Sequence, residues 1–181
     1  INHNTTFSGM TKNYTDTYCI ELKAKDKEFV DEFMIQFINF TKRPYSRKLC
    51  SVFKTKDGYW RVVMRSKKFG EFYHFYDWKK IVEKYPKGYL KGFYDSEGNL
   101  TNGKQTFVRL FNINYSKMQF ISKLLKSLNI NHHLRIFREK GIPTNYSSNT
   151  SDLYVIQINN RSANYFLEKI GSTIPRKQGG G

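Results

Sequence analysis

The pattern of apolar residues occurs twice along the chain, and a duplicated plan leaves few folds open. On either side of about residue 88, each segment reads as a polar hairpin, an amphipathic helix, a second hairpin and a further helix. In the first segment, alternation over Thr17 to Lys23 puts Tyr18, Ile20 and Leu22 on one strand face. Phe29, Val30, Phe33, Met34, Phe37 and Ile38 then follow at helical spacing. In the second, Phe107 to Ile113 is the strand, and Phe120, Ile121, Leu124, Leu125 and Leu128 form the helix stripe. A shift of 91 positions lays the first helix stripe on the second.

The later parts repeat too. Leu49 to Lys54, a Lys56-Asp57-Gly58 turn and Tyr59 to Arg65 predict a hairpin, because Asp-Gly supplies the positive φ of a tight turn. Its counterpart runs from Leu134 to Arg138, through a Gly-, Pro-, Asn- and Ser-rich loop, into Leu153 to Ile158. Helices are expected over Lys67 to Glu83 and Arg161 to Ile170, and the aromatic run Phe72, Tyr73, Phe75, Tyr76 and Trp78 is expected to be core beneath the sheets. The whole reads as ββαββα, a central helix, then ββαββα.

Antiparallel hairpins packed on one face under helices leave the other face open to a ligand. Arg61 and Arg65 alternate with Val62 and Met64, Arg109 with Val108 and Leu110, and Gln157 with Ile156 and Ile158. Lys12, Asn13, Lys54, Lys56, Asn102, Lys104, Gln105, Arg135 and Arg138 extend this polar surface across the turns. For any one of these residues a solvated strand position is the commoner fate; their recurrence in both halves carries the argument. The 181 residues hold 31 Lys and Arg against 15 Asp and Glu, a net charge of +16 that favours a polyanionic partner. A two-stranded ribbon fits the DNA major groove, where Arg, Lys, Asn and Gln contact base edges and phosphates. No apolar run approaches the roughly 20 residues that span a bilayer, so no membrane role is expected. Cys19 and Cys50 are too few for a disulfide framework or a zinc site, which points to a reducing, intracellular setting. His132 and His133 lack spaced partners for a metal and are expected to touch DNA or solvent.

Between the halves lies Tyr89-Leu90-Lys91-Gly92-Phe93-Tyr94-Asp95-Ser96-Glu97-Gly98, preceded by Pro86. Pro suits a helix's first turn and Gly its end, so a helix of about three turns is expected. Gly92 and Ser96, four apart, make a small-residue seam where another backbone can approach. Glu97 falls in the last turn, where the negative end of the helix dipole disfavours a carboxylate and favours a bound cation.

Leu90 to Gly98 resembles the motif of the LAGLIDADG homing endonucleases: Leu first, Gly third, an apolar residue fourth, Asp sixth, an acid eighth and Gly ninth. The tail Lys169 to Gln178 also resembles the end of many family members. The resemblance implies an α+β fold, a pseudo-twofold αββαββα repeat whose two four-stranded antiparallel sheets form a DNA-binding saddle. Its halves would be 1–86 and 87–181. It implies a site-specific double-strand DNA endonuclease of the intron or intein type, acting as a monomer on a long asymmetric site. A divalent metal, Mg2+, would be held by Glu97, with a structural role for Asp95. The family's strand Lys near the scissile phosphate has no obvious match here, since Gln157 takes that position in the second half and Val63 in the first. Gln157 is therefore a candidate catalytic as well as DNA-binding residue. Single-chain members have two motif helices, so a first helix is expected upstream of Ile1. The resemblance leaves two other readings: an RNA maturase that assists splicing of its intron RNA, and a catalytically dead DNA-binding relative. It places such a protein in an archaeal cytoplasm or in an organelle.

Overall fold

Where apolar and polar residues alternate, the backbone pairs as strands, and where the apolar spacing lengthens to three and four, it coils. The structure, a computed structural model, describes residues 11–12, 18–42, 50–141 and 150–179. It divides into two units, Ile1–Lys84 and Tyr85–Gly181.

The first unit runs β1 (Thr11–Lys12), β2 (Tyr18–Ala24), α1 (Lys27–Thr41), β3 (Cys50–Lys54), β4 (Trp60–Arg65), α2 (Lys67–Phe75) and α3 (Trp78–Lys84). Its antiparallel sheet has the order β1-β2-β4-β3. Ile20, Leu22, Ala24, Val62, Met64 and Cys50 turn to one face, where α1 supplies Val30 and Phe37, with Phe29, Phe33 and Met34 packed alongside. Truncating one of these aliphatic side chains would cost roughly 2–5 kcal/mol. The tight turn forms as expected: Gly58 takes φ 82°, and Thr55 and Tyr59 close it by a 2.8 Å N–H to carbonyl bond.

One long helix over residues 67–83 is not what forms. The coil stops at Tyr76, which is extended at φ −100° and ψ 145°, and restarts at Trp78. Phe72, Tyr73, Phe75, Tyr76 and Trp78 together would spread over more than half the circumference of one helix, and the expected aromatic core beneath the sheet is only partial. Phe72 and Trp78 are half-buried, whereas Phe75 and Tyr76 are 77% and 64% exposed.

The second unit runs α4 (Pro86–Glu97), β5 (Gly98–Thr101), β6 (Phe107–Asn112), α5 (Tyr115–Ser127), β7 (His133–Arg138), β8 (Leu153–Asn159), α6 (Asn160–Lys169) and a 3-10 turn at Pro175–Lys177. Its sheet order, β5-β6-β8-β7, repeats that of the first, again antiparallel throughout. The chain is thus α+β with two four-stranded antiparallel sheets. Val108, Leu110, Ile156 and Ile158 are buried on the helix-covered face, with Met118, Ile121, Leu124 and Leu125 from α5 and Ala163 and Phe166 from α6. Asn114 caps α5 by accepting the Lys117 N–H at 3.0 Å, as Ser66 caps α2 from Phe69 at 3.1 Å.

The repeat offset is 88, not 91: Lys27 and Tyr115 open α1 and α5, and Ala24 and Asn112 close β2 and β6, each pair 88 apart. A helix stripe shifted by three residues nearly overlies itself, because three is close to one turn. A strand has period two and cannot absorb an odd slip, so it fixes the true offset.

Candidate active site and nucleic-acid interface

Pro86 opens α4 at its first turn, and the helix runs straight into β5 without a loop. Gly98 ends it, though not by the left-handed geometry that usually selects glycine, since its φ is −95°. A Cβ there would collide with both the ring and the carbonyl of Tyr94, so close approach demands the glycine. At Gly88 and Gly92 nothing lies within 4 Å of an added Cβ, which leaves the seam continued by Ser96 open among the described residues.

Glu97 is the last residue of α4 and is half-buried. Burial pushes its carboxyl above the ordinary range, and the charges of Lys117 and Lys177 pull it partly back. Among the described residues no hydrogen bond or ion pair engages it. Asp95 is placed differently. It is 3% exposed, and its carboxylate accepts the Ser172 hydroxyl and the Thr173 N–H, the latter at 3.1 Å. This acid ties the tail to the helix, the structural role that the resemblance implies. Lys177, from the same tail, is also 3% exposed and donates to the carbonyls of Tyr94 at 3.1 Å and Asp95 at 2.7 Å. The Tyr94 hydroxyl donates back to the Lys177 carbonyl at 2.9 Å.

The donor set suits a hard divalent ion in one limited way. No cluster of three or more His, Cys, Asp or Glu side chains forms among the described residues, so no all-protein metal cage is present. Mg2+ does not need one, because it keeps several waters and binds through one or two carboxylates plus phosphate oxygens. Glu97 fits that requirement: an unbonded carboxylate whose ionisation burial opposes gains most from a nearby cation.

Within each unit the face away from the helices is set by strand register. In the first it carries Glu21 and Lys23 on β2, Ser51 and Phe53 on β3, and Arg61, Val63 and Arg65 on β4. Arg61 is not a free cation there, since it forms an ion pair with Glu21. Lys54 falls on the other side by alternation with Cys50 and Val52, its ammonium 5.9 Å from the Trp60 ring, so the expectation that it extends the open face is corrected. Lys56 is exposed at the turn; Asn13 lies outside the described residues, and of Lys12 only the backbone, on β1, is described.

In the second unit the same face carries Asn99 and Thr101 on β5, Arg109 and Phe111 on β6, His133 and Arg135 on β7, and Val155, Gln157 and Asn159 on β8. Arg109 and Gln157 are register partners joined by a 3.2 Å bond from Nε to Oε1, and Gln157 in turn donates to Asn159 at 2.9 Å. Glu21 opposite Val63 and Arg109 opposite Gln157 occupy equivalent places in the two sheets. Asn102, Lys104 and Gln105 are exposed in the β5–β6 loop, and Arg138 is exposed at the end of β7 beside Phe137. The face is less uniformly polar than expected, because Phe111 and Phe137 stack edge to face at 5.2 Å over it.

Sequence reasoning passed over Glu21, Lys23, Asn99 and Asn159, though alternation with Ile20 and Leu22 already put the first two on the open face. It also passed over the stretch from Gly98 to Arg138, which contains no Asp or Glu while holding seven Lys and Arg. His132 is engaged by its own chain. It is half-buried between the Ser122 hydroxyl, 2.7 Å from Nε2, and the Ile130 carbonyl, 2.8 Å from Nδ1, with burial lowering its pKa. Only His133 reaches the open face, where it is exposed.

Residues 84–171 match the family model of the LAGLIDADG-like domain. Two proteins of the archaeon Methanocaldococcus jannaschii are similar in sequence. The uncharacterized protein MJ0398 is 30% identical over 171 residues, covering 91% of this chain and 61% of its own length. The uncharacterized protein MJ0314 is 29% identical over 141 residues, covering 68% and 51%. The chain thus spans little more than half of the curated relatives it matches. Among solved structures, I-DmoI in complex with DNA and Ca superposes with a TM-score of 0.63 at 16% identity, covering 94% of this chain and 86% of that one. The N-terminal LAGLIDADG domain of DUF199/WhiA gives 0.51 at 18% identity, covering 84% and 70%. At such identities the structural likeness concerns the fold. No helix among the described residues is long and apolar enough to cross a membrane.

Proposed function

This chain belongs to the LAGLIDADG family, through residues 84–171, and from that premise we propose that it is a site-specific, metal-dependent DNA endonuclease of the homing type. The observation that carries the reading is Glu97: a half-buried carboxylate at the negative end of the motif helix, kept above the usual carboxylate range by burial and engaged by no hydrogen bond or ion pair among the described residues. A carboxylate with only a structural task would be bonded, as Asp95 is.

In this reading the open sheet faces bind the duplex. Arg65, Arg109, Arg135, Arg138, Lys56 and Lys104 neutralise phosphates, while Asn102, Gln105 and Gln157 have the donor and acceptor pairs that read base edges. Arg61 contributes less, because Glu21 already holds its charge. Gln157, fixed between Arg109 and Asn159, orients polar groups near the scissile phosphate. Glu97 holds one divalent ion, Mg2+, which when bound supplies Lewis-acid activation of water and neutralises charge on the reacting phosphodiester. Lys12 and Asn13 are assigned to the same footprint, and Lys54, on the helix-covered side of its sheet, is not. The family plan pairs such an acid with a second one from an equivalent motif helix. I-DmoI has been crystallised with DNA and Ca, and also with DNA and Mn.

The test is cleavage of supercoiled plasmids bearing genomic inserts, with Mg2+, by the full-length protein and by Glu97→Gln. The proposal expects a linear product from the first only, with DNA affinity kept within about threefold in the variant. Equal cutting by both would remove Glu97 from the chemistry. Binding without cutting by the unaltered protein would favour a DNA-binding relative, and selective binding of intron RNA a maturase.

A further inference from the structure

We propose that Lys177 is the positioning residue for Glu97: anchored on the carbonyls of Tyr94 and Asp95, it fixes the last turn of α4 so that the Glu97 carboxylate is presented unbonded to a divalent ion. The inference rests on the metal-binding reading of Glu97.

A helix end exposes carbonyls with no partner inside the helix, and together they form the negative pole of its dipole. In α4 a buried ammonium occupies that pole. Lys177 Nζ lies 3.1 Å from the Tyr94 carbonyl oxygen, 2.7 Å from that of Asp95 and 5.6 Å from the centre of the Tyr94 ring. Burying a lysine is costly unless carbonyls and negative charge compensate it. The compensation comes from one place, the end of the helix that carries Glu97.

The tail is held from three further directions, so the ammonium does not depend on its own flexible stem. Asp95 accepts from Ser172 and Thr173, the Ser172 hydroxyl also accepts the Ile174 N–H at 2.9 Å, and Tyr94 donates to the Lys177 carbonyl at 2.9 Å. Residues 172–177 form a strap across the end of the motif helix. Two consequences follow for the ion. The carbonyls of Tyr94 and Asp95 are already taken by Lys177, which leaves the Glu97 carboxylate as the oxygen donor presented at this helix end. The strap holds the backbone of the turn that carries Glu97, so only the side chain's own torsions are left to re-aim the carboxylate.

The sign of one measurement separates positioning from mere proximity. If Lys177 only added positive charge nearby, deleting that charge would strengthen cation binding. If it positions Glu97, deletion weakens it. The experiment titrates Mn2+ into the full-length protein by calorimetry for the unaltered chain, Lys177→Met and Lys177→Arg, and follows amide hydrogen exchange at residues 94–98. For Lys177→Met we expect Mn2+ affinity to fall at least fivefold and exchange at 94–98 to rise at least tenfold, with α5 unchanged. Lys177→Arg recovers most of both, and DNA affinity without metal stays within twofold. Unchanged or tighter Mn2+ binding by Lys177→Met with its fold intact would overturn the proposal, as would unchanged exchange at 94–98. Should Lys177→Met fail to fold, Tyr94→Phe, which removes one hydroxyl bond to the strap, is expected to move both readouts in the same direction by a smaller factor; no movement in either overturns the proposal. Absence of Mn2+ binding in the unaltered protein itself would sink the metal reading of Glu97, and the exchange data would still judge the strap.

Discussion

Glu97 sits where its charge is costly: burial raises its pKa above 4.5, and Lys117 and Lys177 offset only part of that. The folded chain therefore binds this proton more readily than the unfolded chain does. It follows that the ionised carboxylate lowers stability at neutral pH, and that this cost fades as pH falls through the raised folded value toward 4.5. Glu97→Gln should accordingly raise the melting temperature at pH 7.5, by about 1–4 °C given a half-exposed site screened by water. The gain should shrink as the melts are repeated toward pH 4.5. A thermal melt series for the two proteins checks both the sign and the pH trend. His132 works in the opposite direction. Burial lowers its pKa below 6.5, so the stability it contributes is present above that value and is lost as pH falls below it. In a His132→Gln variant the loss of stability between pH 7 and pH 5.5 should be smaller than in the unaltered chain, as followed by urea denaturation.

At the scale of elements, glycines of α4 that look alike in sequence have different tasks. Gly98→Ala drives a methyl into the Tyr94 carbonyl and ring, and should cost roughly 2–4 kcal/mol. Gly92→Ala meets open space and should stabilise the isolated chain by about 0.5–1 kcal/mol through helix propensity. Urea midpoints of the two variants, moving in opposite directions, test the assignment. The sequence made the strands, the helix stripes and the duplicated plan legible, because period two and period 3.6 are written directly in Ile20-Glu21-Leu22 or in Ile121, Leu124 and Leu125. It left the repeat offset ambiguous by three residues, since a helix alone cannot report a slip of nearly one turn. It hid the break at Tyr76, where five crowded aromatic positions compete for one helical face. Glu97 was legible because its place at a helix end has a chemical meaning; for Asp95 the resemblance implied a structural role, but its tie to Ser172 and Thr173 was not legible. Lys177 was not, because nothing in a run of Pro-Arg-Lys-Gln says that the lysine is buried 80 positions away against the motif helix.

For the whole molecule, the proposed partner is a polyanion, which a charge of +16 would meet mainly through phosphates. DNA affinity should fall by roughly three orders of magnitude or more between 50 and 200 mM salt. Arg135→Ala, on the open face of the second sheet, should reduce the slope of log affinity against log salt by about one, as fluorescence anisotropy over a salt series would show. Arg61→Ala should change it less, because Glu21 already neutralises that guanidinium. In the proposed function the duplicated sheets account for binding, while the chemistry rests on one carboxylate. Its role is tested most directly by anomalous diffraction from crystals of the full-length protein bound to duplex DNA and Mn2+. The account predicts an anomalous peak at coordination distance, roughly 2.0–2.4 Å, from a Glu97 carboxylate oxygen. A peak elsewhere, with Glu97 turned instead onto Lys117 or Lys177, would contradict it.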